Sequence, residues 1–313
     1  VAGNASGCFD TITHSLTIYP DPVAEFISID TIACADPSFV IDASVITTVE
    51  YPNANDVYNW EVNYNDGAGF IALDTGVVFP GSVVIDGPDS SVTIRLITTN
   101  VHGCQQSVFD QVFITYPDPV AIFTVAPADS CGTPLTVQTS NTSTVAPGNG
   151  PLTWSWDVRD ASNNLVTTST DSDPSFSLTN GSNTIDSVYV VSLTATSIYG
   201  CPNTTTNTVT VYPEPVASFT LNDTGICAGL ASLSTTGVTN NSAGNGLQYL
   251  WSVSDPLVTI SDDTDSLPVF TFPDNQSGST RSYTIELTVT SSDGCVDFTS
   301  ETVDIFTRPI ADF

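Results

Sequence analysis

Lysine is absent from this chain, and positive charge rests on Arg95, Arg159, Arg281 and Arg308 against 34 acidic residues, a net charge of −30 over 313 residues. Gripping a phosphate backbone or an anionic lipid surface takes a basic stripe, which four scattered arginines cannot make, so nucleic acid is excluded as a partner. Histidine is nearly missing too, with His14 and His102 the only two. No Gly-x-Ser-x-Gly elbow, His-Glu-x-x-His helix, phosphate-cradling glycine loop or dinucleotide fingerprint occurs. Paired acids such as Asp262 and Asp263 are what chance supplies in so acidic a chain, and the sequence reads as non-enzymatic. Nothing approaches the roughly 18–20 consecutive apolar residues that cross a bilayer, and no basic-then-apolar leader opens the chain, so no membrane insertion is expected. No stretch carries an apolar stripe at helical spacing, so helix should be close to absent.

What is present is β-rich. Charged residues are only 12% of the chain, hydrophobic residues are 40%, glycine and proline number 20 each, and Ser, Thr, Val, Asp and Asn dominate the rest. Apolar residues at that share, in short alternating runs, argue for a folded chain whose acids coat its surface. Like-charged surfaces repel and stay dispersed in salt water. The second use of such acid is cation binding, and Asp262, Asp263 and Asp265 are the calcium candidates; no other cofactor is expected.

One pattern returns along the whole length. Tyr19-Pro20-Asp21-Pro22-Val23-Ala24-Glu25-Phe26 recurs as Tyr116-Pro117-Asp118-Pro119-Val120-Ala121-Ile122-Phe123 and as Tyr212-Pro213-Glu214-Pro215-Val216-Ala217-Ser218-Phe219, with a weaker copy in Phe306-Thr307-Arg308-Pro309-Ile310-Ala311-Asp312-Phe313. Trp60, Trp156 and Trp251 keep the same beat, as do the Gly-Cys pairs ending at Cys8, Cys104, Cys201 and Cys295. Within a copy the period is two: Val92, Ile94 and Leu96, then Tyr189, Val191 and Leu193, then Tyr283, Ile285, Leu287 and Val289 alternate with more polar residues, the mark of half-buried strands. Each run meets a Gly-Cys turn and a Thr/Val-rich strand, which predicts a hairpin.

These markers divide the chain into the end of a preceding repeat (1–20), three full domains (21–117, 118–213 and 214–307) and the start of another repeat (308–313), a window on a longer protein. Two prolines one residue apart fix φ and restrict their neighbours, so the linkers should be stiff and the domains should lie end to end.

About seven short strands, a buried tryptophan on a central strand and a tyrosine-led late strand describe an all-β, Ig-like sandwich in tandem. The Pro-Val-Ala-x-Phe opening, the Trp60-Glu61-Val62, Trp156-Asp157-Val158 and Trp251-Ser252-Val253 strands, and the late Tyr283 to Thr290 strand followed by Asp293-Gly294-Cys295 together resemble the polycystic-kidney-disease (PKD) domain. The family's acidic turn after the tryptophan is replaced here, in the first copy by Asn63-Tyr64-Asn65-Asp66-Gly67. A cysteine early in each domain and a Gly-Cys late is similar to the very long PKD-repeat proteins that Bacteroidota export by type IX secretion as surface adhesins, gliding filaments or prey-catching appendages. The resemblance implies an extracellular structural repeat of an adhesive filament, partnered by neighbouring repeats of the same chain and by further chains in a homo-oligomeric bundle. It brings no catalytic residues.

Seven cysteines, at 8, 34, 104, 131, 201, 227 and 295, read as disulfides in a chain of this kind. In an Ig-like sandwich the early cysteine and the late Gly-Cys occupy opposite ends of one domain. Head-to-tail stacking then suggests Cys34 with Cys201 and Cys131 with Cys295, and the alternative is pairing inside each domain: Cys34 with Cys104, Cys131 with Cys201, Cys227 with Cys295. Asn-x-Ser/Thr triplets start at Asn4, Asn141, Asn180, Asn203, Asn222, Asn240 and Asn275, and Asp-Thr-Ile at 10–12 and 30–32, Asp-Ser-Val at 186–188 and Asp-Ser-Leu at 265–267 resemble a short O-glycosylation site. The rival to the structural reading is a module that binds glycan or a target-cell surface. Tyr51, Tyr58, Tyr64 and Phe70 are the aromatic concentration that would serve it.

Overall fold

A strand buried on one face needs apolar residues at every second position, and the computed structural model builds strands from the runs of that kind, with no helix among the described residues. It describes the chain apart from residues 1, 19–23, 29–30, 35–37, 42–45, 50–55, 80, 88–89, 103–104, 229–233 and 309–313. The first linker copy, Cys104, Tyr51, the Asp of the 30–32 triplet and most of the final repeat copy lie outside the described residues. The chain forms two compact units: Val1–Val120 with Val145–Leu152 and Thr196–Asn203, and Ala121–Thr144 with Thr153–Ala195 and Thr204–Phe313.

In the first unit a five-stranded sheet runs in the spatial order Ile32–Cys34, Gln105–Tyr116, Ser91–Thr99, Val57–Asn63, Ile71–Thr75. Phe26–Ser28 pairs with Ile46–Val49, and Ser38–Ile41 with Val83–Asp86. Val92, Ile94 and Leu96 point inward from Ser91–Thr99 and join Ile41, Trp60, Val62, Ile85 and Phe113 in one core. Their sheet neighbours face outward, which is the alternation of the sequence made visible.

The second unit holds two further cores of the same design. In one, Phe123–Ala126, Leu135–Asn141 and Ser175–Leu178 form a sheet facing the ordered strands Asp129–Cys131, Pro202–Tyr212, Ser187–Thr196, Thr153–Asp160 and Leu165–Ser169. In the other, Phe219–Leu221, Ser234–Asn240, Val269–Phe272 and Thr259–Ile260 face Gly225–Cys227, Val296–Phe306, Arg281–Thr290 and Gln248–Val253. The two sheets of each sandwich close over aromatic contacts between residues that the sequence repeats. The opening phenylalanine of one sheet lies on the tryptophan of the other, with ring centroids 5.1 Å apart for Phe26 and Trp60, 4.9 Å for Phe123 and Trp156, and 4.8 Å for Phe219 and Trp251. A buried indole also needs an acceptor for its N–H. Trp60 donates to the Gly76 carbonyl at 3.0 Å, Trp156 to Asp171 at 2.9 Å and Trp251 to Asp265 at 2.8 Å.

Two details place the chain's special residues. The early strand leaves the first sheet and pairs parallel with the end of the last strand, so Cys34 lies opposite Tyr116, Cys131 opposite Tyr212 and Cys227 opposite Phe306. Each early cysteine thus sits where the chain leaves its own sandwich. The end of that last strand is held by a buried asparagine: Asn180 Nδ2 donates to the carbonyls of Val211 (2.8 Å) and Ile185 (2.9 Å), and Asn275 Nδ2 to those of Ile305 and Ser279 (both 2.8 Å).

Removing a fully buried tryptophan costs about 3–5 kcal/mol, a large part of a domain's stability. Trp156→Ala is therefore expected to strip amide hydrogen-exchange protection from Ser187–Thr196 while Arg281–Thr290 stays protected. Asn275→Ala removes the side-chain donor to the buried Ile305 carbonyl and is expected to lower the third sandwich's stability by about 1–3 kcal/mol, measured by urea titration of exchange in Val296–Phe306.

Candidate functional site

The late hairpins are built to hold a cysteine still. In Ser197-Ile198-Tyr199-Gly200-Cys201 the Gly200 N–H donates to the Ser197 carbonyl at 3.0 Å and the Ser197 N–H to the Cys201 carbonyl at 2.9 Å. Ser291 to Cys295 repeats both bonds, at 3.0 and 2.8 Å. The closing glycine has φ of +85° at Gly200 and +82° at Gly294, a left-handed conformation that explains why glycine precedes each cysteine. Ser197 and Ser291 hydroxyls accept the N–H of Cys201 and Cys295, both at 3.2 Å. Both cysteines are buried.

Each buried hairpin cysteine meets the early cysteine of the sandwich before it. Cys34 is joined to Cys201 with Cα atoms 5.3 Å apart, and Cys131 to Cys295 with Cα atoms 5.6 Å apart. The within-domain alternatives differ from this structure: Cys201 and Cys295 are already engaged across repeats, which leaves neither for Cys131 or Cys227, and Cys104 lies outside the described residues. The physical reason is the parallel pairing of the early strand, which carries each early cysteine to the end of its domain remote from its own Gly-Cys hairpin.

Polar and aromatic contacts surround each bridge. Beside Cys34–Cys201, the Tyr116 and Tyr199 rings stack at 3.5 Å and 10°, Cys201 Sγ lies 3.9 Å from the Tyr116 carbonyl oxygen, and a carboxylate oxygen of Asp118 and the two sulfurs lie within 4.8 Å of one another. Around the Cys131–Cys295 junction, the Ala217 N–H donates to Asp297 at 2.8 Å and the Asn245 side-chain amide to the Thr184 carbonyl at 3.0 Å. Tyr212 donates to Asp129 at 3.4 Å, and the charge of Asp129, followed by partial desolvation and this hydrogen bond, raises its phenol above the usual range. An open groove of about 790 Å³ lies here, lined by Thr133, Asn180, Glu214, Pro215, Val216 and Asp297.

The remaining candidates are dispersed. Asp262, Asp263 and Asp265 are exposed and serve local turns: Asp262 accepts the Thr264 N–H at 2.9 Å and its hydroxyl at 2.8 Å, which holds its carboxyl below the usual carboxylate range, and Asp265 accepts the Leu267 N–H at 3.1 Å. Among the described residues the one grouping of three metal-ligating atoms within 4.8 Å of one another is Cys34, Asp118 and Cys201, whose sulfurs are bonded to each other. Of the described members of the aromatic concentration, Tyr58 is core, Phe70 lies under the Arg95 guanidinium at 3.5 Å, and Tyr64 is exposed. His14 and His102 are both exposed.

In five of the Asn-x-Ser triplets the asparagine side chain closes a local turn. The asparagine Oδ1 accepts the N–H of the serine two residues on, from Ser6, Ser143, Ser182, Ser242 and Ser277, an Asx-turn geometry that this residue pair favours. Asn180 and Asn275 are buried besides, so neither can carry a glycan in the folded chain. The signal that marks them as structural was available: they recur at the spacing of Trp156 and Trp251.

No family model matches this chain. No curated protein does either. Among solved structures it is similar to three tandem Ig domains of titin (11% identity, 91% of this chain and 97% of that one, TM-score 0.44). It is also similar to a structure bearing on host cell surface retention of a 1.5-MDa bacterial ice-binding adhesin (13% identity, 92% and 100% covered, TM-score 0.34). A third is the Ca2+-stabilized adhesin with which an Antarctic bacterium binds ice (12% identity, 92% and 74% covered, TM-score 0.37). At such identities and scores the likeness extends to no site or partner.

Proposed function

We propose that this chain is a non-catalytic structural segment of an extracellular adhesive filament or surface appendage, made of PKD-like repeats and used as a covalently stapled spacer. The observation that carries the reading is the pair of overlapping bridges, Cys34–Cys201 and Cys131–Cys295, each spanning a repeat junction over separations of 167 and 164 residues. A disulfide within one domain protects that domain alone. One that crosses a junction ties successive domains together, which is useful where tension passes along the array. The bridges fit an oxidising location outside the cell. The net charge of −30 favours dispersed chains in salt water. The same charge means that chains laid side by side in a bundle need cations or matched contacts between them. Export by type IX secretion, a Bacteroidota source, and service in gliding, attachment or prey capture are the finer parts of this proposal, and they rest on the sequence resemblance.

The mechanical reading has a direct test. Under tension applied at the two ends, a closed loop keeps its residues out of the stretchable path, so the fully extended length of the oxidised chain should be shorter than that of the reduced chain by roughly 60 nm, at about 3.4 Å per residue. Single-molecule pulling with and without reductant measures this, and equal lengths would sink the proposal. Loop closure of this size also stabilises by about 2–5 kcal/mol. Cys131→Ser with Cys295→Ser should accordingly lower the denaturation midpoint of the second unit.

A further inference from the structure

The acid of the Tyr-Pro-acid-Pro linker has a position as well as a charge. Parallel pairing sets Tyr116 opposite Cys34, and two residues further on Asp118 brings a carboxylate oxygen within 4.8 Å of both Cys34 Sγ and Cys201 Sγ. The two cysteines differ in exposure: Cys34 is exposed, whereas Cys201 is fully buried with the Tyr116 carbonyl oxygen 3.9 Å from its sulfur.

Reduction of such a bridge follows a fixed chemistry. A small-molecule thiolate attacks the accessible sulfur, Cys34 Sγ, and forms a mixed disulfide there. The bond to Cys201 breaks, and Cys201 Sγ departs with the electron pair as a thiolate. A second thiolate then attacks the reagent sulfur of the mixed disulfide, releasing the oxidised reagent and Cys34 as a thiolate. Two reagent thiolates have lost two electrons in all, and the bridge has gained them. Every step brings or leaves negative charge at sulfur. Nearby negative charge and burial both disfavour a thiolate, and at this separation the repulsion from a carboxylate is appreciable even at a high effective dielectric.

We infer that Asp118 is an electrostatic guard of the Cys34–Cys201 bridge: it slows thiol–disulfide exchange by opposing both the incoming thiolate and the thiolate that must form at Cys201. The inference depends on the bridge alone and stands apart from the mechanical role. The second bridge supplies an internal reference, since no carboxylate of the described residues comes as close to both sulfurs of Cys131–Cys295.

The test is the rate at which glutathione at fixed pH opens each bridge in the full chain, followed by alkylation and peptide mass spectrometry. Asp118→Asn should open Cys34–Cys201 about tenfold faster than the parent chain, leave Cys131–Cys295 unchanged, and Asp118→Glu should stay near the parent rate. An Asp118→Asn rate within twofold of the parent overturns the inference. Equal acceleration of both bridges also overturns it, because that reports a loosened fold, and so does an Asp118→Glu rate matching Asp118→Asn, because that reports lost fit rather than lost charge.

Discussion

Three residues of parallel pairing at the start of each sandwich decide where its early cysteine comes to rest. A chain that paired its first strand only antiparallel, in the first sheet, would have no reason to bring that cysteine to the end of the last strand. Because Ile32–Cys34, Asp129–Cys131 and Gly225–Cys227 cross to the second sheet and run alongside Gln105–Tyr116, Pro202–Tyr212 and Val296–Phe306, the cysteine arrives beside the residue that opens the linker. A disulfide needs Cα atoms within about 7 Å, so the short parallel ladder settles which hairpin the cysteine can reach. It also brings the linker acid to the bridge.

The sequence made the sandwich legible because its markers are redundant. Tryptophan, Gly-Cys and the proline linker repeat at one spacing, and the period-two runs between them leave little room for another class of fold. The contact of Phe123 with Trp156 joins two markers that the sequence shows separately, and only the fold shows them to be one contact. The buried asparagines were hidden for a chemical reason: Asn-x-Ser is both an acceptor for glycan and a good Asx turn, and composition cannot separate the two uses. The calcium candidates rested on proximity in sequence. Asp262, Asp263 and Asp265 are close in sequence, and in the structure Asp262 and Asp265 accept N–H and O–H donors of their own turns, a use of acid that spacing alone does not distinguish from cation binding. The cysteines left two pairings open, since both draw on the same early and late positions, and the choice rests on which end of a domain each occupies.

The composition and the bridges fit one another. An amide cross-link between side chains would need a lysine amine, and the chain has none. Single sandwiches of about 95 residues give modest stability on their own, and an acidic surface adds self-repulsion. Covalent sulfur links answer both needs without placing positive charge on the surface.

The interleaving of the two loops has a topological meaning. The segment from Cys131 to Cys201 belongs to both rings, and together the rings cover the chain from Cys34 to Cys295 without a gap. A single peptide bond hydrolysed anywhere in that span, by a protease or by chance, separates nothing: the two pieces stay tethered through sulfur. The repeats behave less like beads on a string, where one broken thread scatters the set, than like a chain mail in which each ring is caught by its neighbour.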